Sequence, residues 1–272
     1  METKQKTHKD VINTEGIPEE MLYALYARAM ESKRSDHHIY DKKAIEVVER
    51  TDFDFSDQSK GAAMGNGVLA RTILLDKMVA DYVRQHPQGV VVNIACGMDT
   101  RFYRVDNGKI RWYDLDLPVT LDARKRLLGE EERVTMIGKS VLQDESWADD
   151  IQGKGPVLFI VEGLTMYMER NGVQKLFKEI RTHFKEAVVF VEVTSPYTVK
   201  NAVESTKEGS RQKYSWGIKN GRQLQKLLTG FRTLKSYTLM EGLQEMYPIY
   251  RVAKFFPPLR NISNKIIVLR QS

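Results

Sequence analysis

"VVNIACGMDTRFYRV", residues Val91–Val105, is the stretch on which the fold turns. With Gly89 and Val90 in front it begins as a continuous β-branched run, the composition of a strand buried on both faces. The run stops in the tight turn Ala95-Cys96-Gly97. An acid, a hydroxyl and an arginine follow at Asp99, Thr100 and Arg101. A strand that feeds a tight turn and then a helix is the opening unit of a parallel α/β sheet, whose ligands collect beyond the carboxyl ends of the strands.

Downstream, "KIRWYDLDL", "RVTMIGKSV", "GPVLFIVEG", "EAVVFVEV", "RTLKSYTLM" and "NKIIVLRQ" read as further strands. "PVTLDARKRLLGEE", "NGVQKLFKEIRTHF" and "NGRQLQKLLTGF" read as helices between them. This alternation predicts a mostly parallel sheet with helices on both faces. The last two strands have no long helix between them, which predicts an antiparallel edge. Upstream, the pattern is helical. "GIPEEMLYALYARAMESKR" has Pro18 near its start and acids in its first turn, "DKKAIEVVER" opens on the N-cap residue Asp41, and "NGVLARTILLDKMVADYVRQHP" stops at Pro87. The chain therefore divides into a helical extension, 1–88, packed on an α/β domain, 89–272. The segment "SPYTVKNAVESTKEGSRQKYSWGI", 195–218, is long for a connection and reads as a substrate cap or as a helical surface insertion.

At 272 residues, with 42% hydrophobic and 29% charged residues, the chain has the size and composition of a soluble globular protein. No run approaches the roughly 20 apolar residues of a membrane span. The stretch "METKQKTHKD" lacks the apolar core of a secretory leader, so a cytoplasmic protein without a membrane partner is expected. A single cysteine excludes an internal disulfide and a cysteine-based zinc site. The net charge of +6 is spread out, and the basic runs at 33–35 and 123–128 are short, so no nucleic-acid partner is expected.

A dinucleotide loop asks for G-x-G-x-x-G. Here the three positions hold Ala95, Gly97 and Thr100, and the carboxylate of Asp99 would repel a diphosphate. A ligand without phosphates fits better, and S-adenosylmethionine has none. One glycine lets the backbone pass close to it. A plain strand-to-helix turn is the other reading. Asp116 lies 19 residues beyond Gly97, where a ribose-binding carboxylate is expected about 20 residues on. Asp114 and Asp116 share one strand face, and Pro118 ends the strand just after the second. Glu162 closes an apolar run, where it could face a cationic group of the ligand or cap the turn "LTMYMERNG". No histidine follows a predicted strand end, and the adjacent His37 and His38 belong to a polar surface stretch and make no ready metal site. Cys96 is expected to be a small buried thiol.

The ordered set "VVNIACGMDTRFYR", "YDLDLP", "SVLQDESW" and "VEGLTMYM", with "ARAMESKRSD" and "ARTILLD" upstream, resembles the leucine carboxyl methyltransferase family and its bacterial polyketide-type O-methyltransferases. The resemblance implies a Rossmann-like class I methyltransferase fold: seven strands, mostly parallel, with an antiparallel edge and an N-terminal helical extension. It implies S-adenosylmethionine as methyl donor and a small-molecule acceptor methylated on a carboxylate or hydroxyl. Carried over by position, Arg28 and Arg71 would hold the donor's carboxylate. Gly97 and the backbone around Ala95 would pass under its methionine part, Asp116 with Leu117 beside it would take the ribose end, and Ser140 and Val141 would flank the adenine. Glu162 would sit near the amino group, and Tyr167 would line the pocket. The family usually has an acid followed by leucine where this chain has Ser140-Val141, and a glycine where it has Ala95. An NAD-dependent oxidoreductase and a non-catalytic methyltransferase-like binding protein are the alternatives.

Overall fold

Every residue of β1 (Val90–Ile94) is buried, and the strand lies near the middle of the sheet. The computed structural model describes residues 11–56, 58–153, 155–201, 214–253 and 261–272. Around β1, the strands β2 (Arg111–Asp116), β3 (Val134–Gly138), β4 (Val157–Val161), β5 (Ala187–Val193), β6 (Phe231–Thr238) and β7 (Lys265–Gln271) assemble in the order β3-β2-β1-β4-β5-β7-β6. The first five are mutually parallel, and β7 runs antiparallel to both of its neighbours. This is the expected mostly parallel sheet with an antiparallel edge, with β7 inserted between β5 and β6. The order reverses between β1 and β4, and beyond the carboxyl ends at such a reversal lies the ligand cleft of an open parallel sheet.

Alternation along the strands supplies two cores. On one face Val90, Val92, Ile94, Phe159 and Val189 pack with Leu176, Phe177 and Ile180 of α6 (Arg170–His183). On the other, Val91, Trp112, Ile160 and Phe190 pack with Leu75, Val79 and Val83 of α3 (Gln58–Gln85) and with Phe102 of α4 (Arg101–Val105). So α3, which the sequence groups with the helical extension, covers the sheet directly. The helix α1 (Glu19–Ser32) starts after Pro18, and α2 (Lys42–Arg50) is capped by the Asp41 side chain on the Ala44 amide, both as expected. These two helices form a third cluster with Met98 and with Leu127 and Leu128 of α5 (Pro118–Leu128).

The 195–218 expectation falls mostly outside the described residues. What is described is the short helix α7 (Pro196–Asn201) and the return at 214–218, where the Ser215 and Trp216 amides donate to the Met166 carbonyl and Ile218 donates to Thr194. Beyond it come α8 (Gly221–Leu227), then α9 (Met240–Met246) and α10 (Tyr250–Ala253) between the last two strands.

Helix α9 touches α3 through Gly242. A Cβ there would lie 2.0 Å from the Ala70 carbonyl oxygen and 2.6 Å from its carbon, both backbone atoms that cannot step aside. Gly242→Ala is therefore expected to cost about 1–3 kcal/mol, the usual range for forced overpacking, read as a lower urea midpoint with an unchanged m-value.

Candidate functional site

The turn after β1 is held open by two left-handed residues, Ala95 (φ 53°) and Gly97 (φ 46°). For Gly97 this is free of steric cost, whereas for Ala95 it is strained, and strain of this kind collects at ligand sites. The Ala95 amide donates to Leu115 O at 2.7 Å. The Gly97 amide donates to Asp116 Oδ2 at 2.8 Å, and the Gly97 carbonyl accepts from Arg124, which is itself paired with the buried Asp114 at 2.7 Å. The two acids of "YDLDLP" thus divide their work. Asp114 is fully buried and structural, and burial raises its pKa against the pull of Arg124. Asp116 stays half-buried at the cleft, its other oxygen accepting from the Leu117 amide at 2.7 Å. Next to it, the Leu117 side chain stands 47% exposed.

Beneath the turn lies a chain of buried ion pairs. Arg101 is 1% exposed, and its guanidinium meets Asp76 at 2.8 Å, Asp99 at 2.5 Å and Glu162 at 2.9 Å. Asp99 also accepts from the Arg101 amide at the start of α4 and from the Asn93 side chain. Arg104 joins Asp76 to Asp41, and Arg28 joins Asp41 to the Met98 carbonyl. On the other side, Arg71 Nε lies 2.5 Å from Glu162 Oε1, and its NH1 donates to Glu192 Oε2 at 3.1 Å. Five carboxylates (Asp41, Asp76, Asp99, Glu162, Glu192) thus face four guanidiniums (Arg28, Arg71, Arg101, Arg104), leaving one formal negative charge in excess. Burial acts to raise the Asp99 carboxyl, but Arg101 and Arg104 outweigh it and hold it at about 2. Glu162 is likewise held below its ordinary value, burial being outweighed by Arg71 and Arg101. The same balance, with Arg28 and Arg104, lowers Asp41.

Of the residues singled out from the sequence, Ala95, Gly97, Asp116 and Leu117 come together at the ends of β1 and β2, with Glu162 and Arg71 across the cleft. Glu162 caps no helix, because only a 3-10 turn, Thr165–Tyr167, follows, and both of its oxygens go to arginines. Ser140 follows the end of β3, its hydroxyl oxygen accepting from the Leu142 and Gln143 amides at 3.4 and 3.3 Å, with Val141 half-buried beside it. Tyr167 packs its ring against Tyr214, centroids 5.3 Å apart. Arg28 is buried, its guanidinium donating to Asp41 and to the Met98 carbonyl. Cys96 is buried, and burial pushes its thiol up, as the small-thiol reading expects. Sequence reading gave Asp76 and Glu192 no role. The signal for Glu192 was an acid inside the apolar run "EAVVFVEV".

A sequence profile described as leucine carboxyl methyltransferase matches residues 19–181. The chain is 29% identical over 235 residues to the tetracenomycin polyketide synthesis O-methyltransferase TcmP of Streptomyces glaucescens, covering 86% of this chain and 87% of that one. It is 24% identical to the S-adenosyl-L-methionine-dependent methyltransferase dpfgK of Gibberella zeae, covering 82% and 83%. Among solved structures, the magnesium protoporphyrin IX methyltransferase ChlM of Synechocystis PCC 6803 with bound SAH matches with a TM-score of 0.50 at 11% identity, covering 85% of this chain and 96% of that one. The plantazolicin methyltransferase BamL, in complex with a triazolic desmethylPZN analog and SAH, matches with 0.50 at 12%, covering 93% and 98%. These last two carry the fold alone.

The ion-pair chain fixes an acid response. Depressed carboxyl values stabilise the fold above the ordinary carboxylate range, and that stabilisation is lost as pH falls through the folded values. For Asp99 the window runs from its ordinary 3.8 down to about 2, and its share is on the order of 2 kcal/mol. Urea unfolding at a series of pH values should show stability falling across that window. Arg101→Met should cost about 3–5 kcal/mol at neutral pH by leaving carboxylates unpaired, and less near pH 3, where they take up protons. An equal penalty at both pH values would contradict the network.

Proposed function

Since the chain belongs to the leucine carboxyl methyltransferase family, and is thereby an S-adenosylmethionine-dependent methyltransferase, we propose that it methylates an oxygen, carboxylate or hydroxyl, of a small molecule. The observation that carries the assignment of the donor site is the half-buried Asp116 carboxylate at the carboxyl end of β2, bonded at 2.8 Å to the Gly97 amide of the turn after β1, with the apolar Leu117 exposed beside it. The family relationship to a polyketide O-methyltransferase supports oxygen as the acceptor atom.

The residues fit the donor chemically. Bound S-adenosylmethionine supplies a methyl group on a positively charged sulfur. Asp116 has lone pairs left for the two ribose hydroxyls, since each of its oxygens accepts one backbone amide. Leu117 and Val141 offer apolar surface to the adenine. The Ser140 hydroxyl, whose oxygen already accepts from its own turn, would donate its proton to the ring edge. Gly97 lets the backbone pass under the methionine part. Arg71 would meet the donor's carboxylate and Glu162 its amino group. Arg28 would act from behind, through the Met98 carbonyl. The excess negative charge of the ion-pair chain suits a ligand of net positive charge. Tyr167 would line the acceptor side, where the protein must align the acceptor oxygen with the methyl group and exclude water. A carboxylate acceptor is ionised at neutral pH and needs no base. Among the described residues no histidine follows a strand end, which favours the carboxylate.

Calorimetric titration should show saturable binding of S-adenosylmethionine and S-adenosylhomocysteine and none of NAD. Asp116→Ala should weaken the first two by about 1–3 kcal/mol, and unchanged affinity would remove Asp116 from the site. Small molecules methylated in extract with isotope-labelled donor should release methanol in mild alkali if the product is an ester, and retain the label if it is an ether.

A further inference from the structure

Glu192 is the penultimate residue of β5, on the face that packs on α3, and is 1% exposed. Leaving a carboxylate there costs several kcal/mol of desolvation unless its oxygens are used. They are used by three parts of the chain. Oε2 accepts from Arg71 NH1 on α3 at 3.1 Å and from the Gly163 amide, in the turn after β4, at 2.9 Å. Oε1 accepts from the Asn264 side chain, just before β7, at 3.0 Å. Asn264 is oriented in turn by Thr194, whose hydroxyl donates to Asn264 Oδ1 at 2.8 Å. The arrangement fixes the Asn264 amide, and so leaves its NH2 group to Glu192.

Two consequences follow at the cleft. Arg71 is held between two carboxylates, Glu162 and Glu192, so its guanidinium cannot swing freely about its long side chain. Gly163, in the left-handed region at φ 65°, is pinned by its amide, and that pins the backbone carrying Glu162. One buried acid therefore sets both members of the Arg71–Glu162 pair.

We propose that Glu192, oriented by Asn264 and Thr194, is the positioning residue that presets Arg71 and Glu162 for the methyl donor. This rests on the reading that Arg71 meets the donor's carboxylate. Glu192 touches neither donor nor acceptor and acts through Arg71 and, by way of the Gly163 amide, through the backbone that carries Glu162.

A double-mutant cycle on the full chain tests it, with S-adenosylhomocysteine affinity by calorimetry, KM for S-adenosylmethionine, kcat and thermal melting as readouts. Glu192→Gln is expected to weaken S-adenosylhomocysteine and raise the donor KM roughly tenfold, the scale of one charged hydrogen bond, while kcat at saturating donor stays within about twofold. In the Arg71→Met background the same substitution should have a clearly smaller effect on donor affinity, what remains being the share that runs through Gly163 and Glu162. An equal loss in both backgrounds would mean that Glu192 only supports the fold, and would overturn the proposal. So would wild-type donor affinity in Glu192→Gln. Undiminished affinity in Arg71→Met overturns the reading of Arg71 itself, whereas a loss there with none in Glu192→Gln overturns the positioning role alone. If Arg71→Met does not fold, Asn264→Ala decides: it removes no charge, and is expected to raise the donor KM with kcat unchanged. An unchanged KM rejects the proposal.

Discussion

Arg101 is a buried cation surrounded by carboxylates, and the cleft is organised around it. Its guanidinium touches acids from α3, from its own helix start and from the end of β4. None of these groups could be buried alone, since an unpaired charge in a protein interior is strongly unfavourable. Each must therefore stay where its partners are, which ties three elements to one geometry at the carboxyl end of the sheet. Arg104, Arg28 and Asp41 extend the chain outward to α1 and α2. The helical cap is thus joined to the turn after β1 by directional bonds as well as by its apolar cluster.

The polar residues on the α3 face also follow from the sheet itself. Val91, Trp112, Ile160 and Phe190 face α3 and α4, and the next positions on that face are Asn93, Asp114, Glu162 and Glu192. In β1, β2 and β5, and just past the end of β4, the face changes from apolar to polar near the carboxyl end of the strand. The other face stays apolar to Ile94, Val161 and Val193. The sheet therefore has one dry side and one side that ends in charge, and the arginines of α3 and α4 meet the charged side.

Much of the fold was legible because its signals are local. β-branched runs mark the strands, Pro18 and Asp41 mark helix starts, and the Gly97–Asp116 spacing marks two neighbouring strand ends. The missing glycines around Gly97 argued correctly for a donor without phosphates, in a chain that belongs to a methyltransferase family. The partners of the charged residues were not legible. Arg71 and Glu192 are 121 residues apart, and Arg28 and Met98 are 70 apart, so only the folded chain decides which acid meets which arginine. That is why the pairing of Arg28 with Asp41 and the Met98 carbonyl does not show in the sequence. It is also why Glu192, whose only local mark is being an acid in an apolar strand, received no role.

The place of β7 has a consequence for synthesis. β7 lies between β5 and β6, yet it is translated after both. As the chain leaves the ribosome, β5 presents an open edge, and β6 emerges without the neighbour that joins it to the sheet. Glu192 waits for Asn264, 72 residues further on. A nascent chain can thus lay down the donor-side half of the sheet, β1 to β4, early, while the bracket behind Arg71 closes late. Until then the β5 edge is a row of unpaired backbone donors and acceptors.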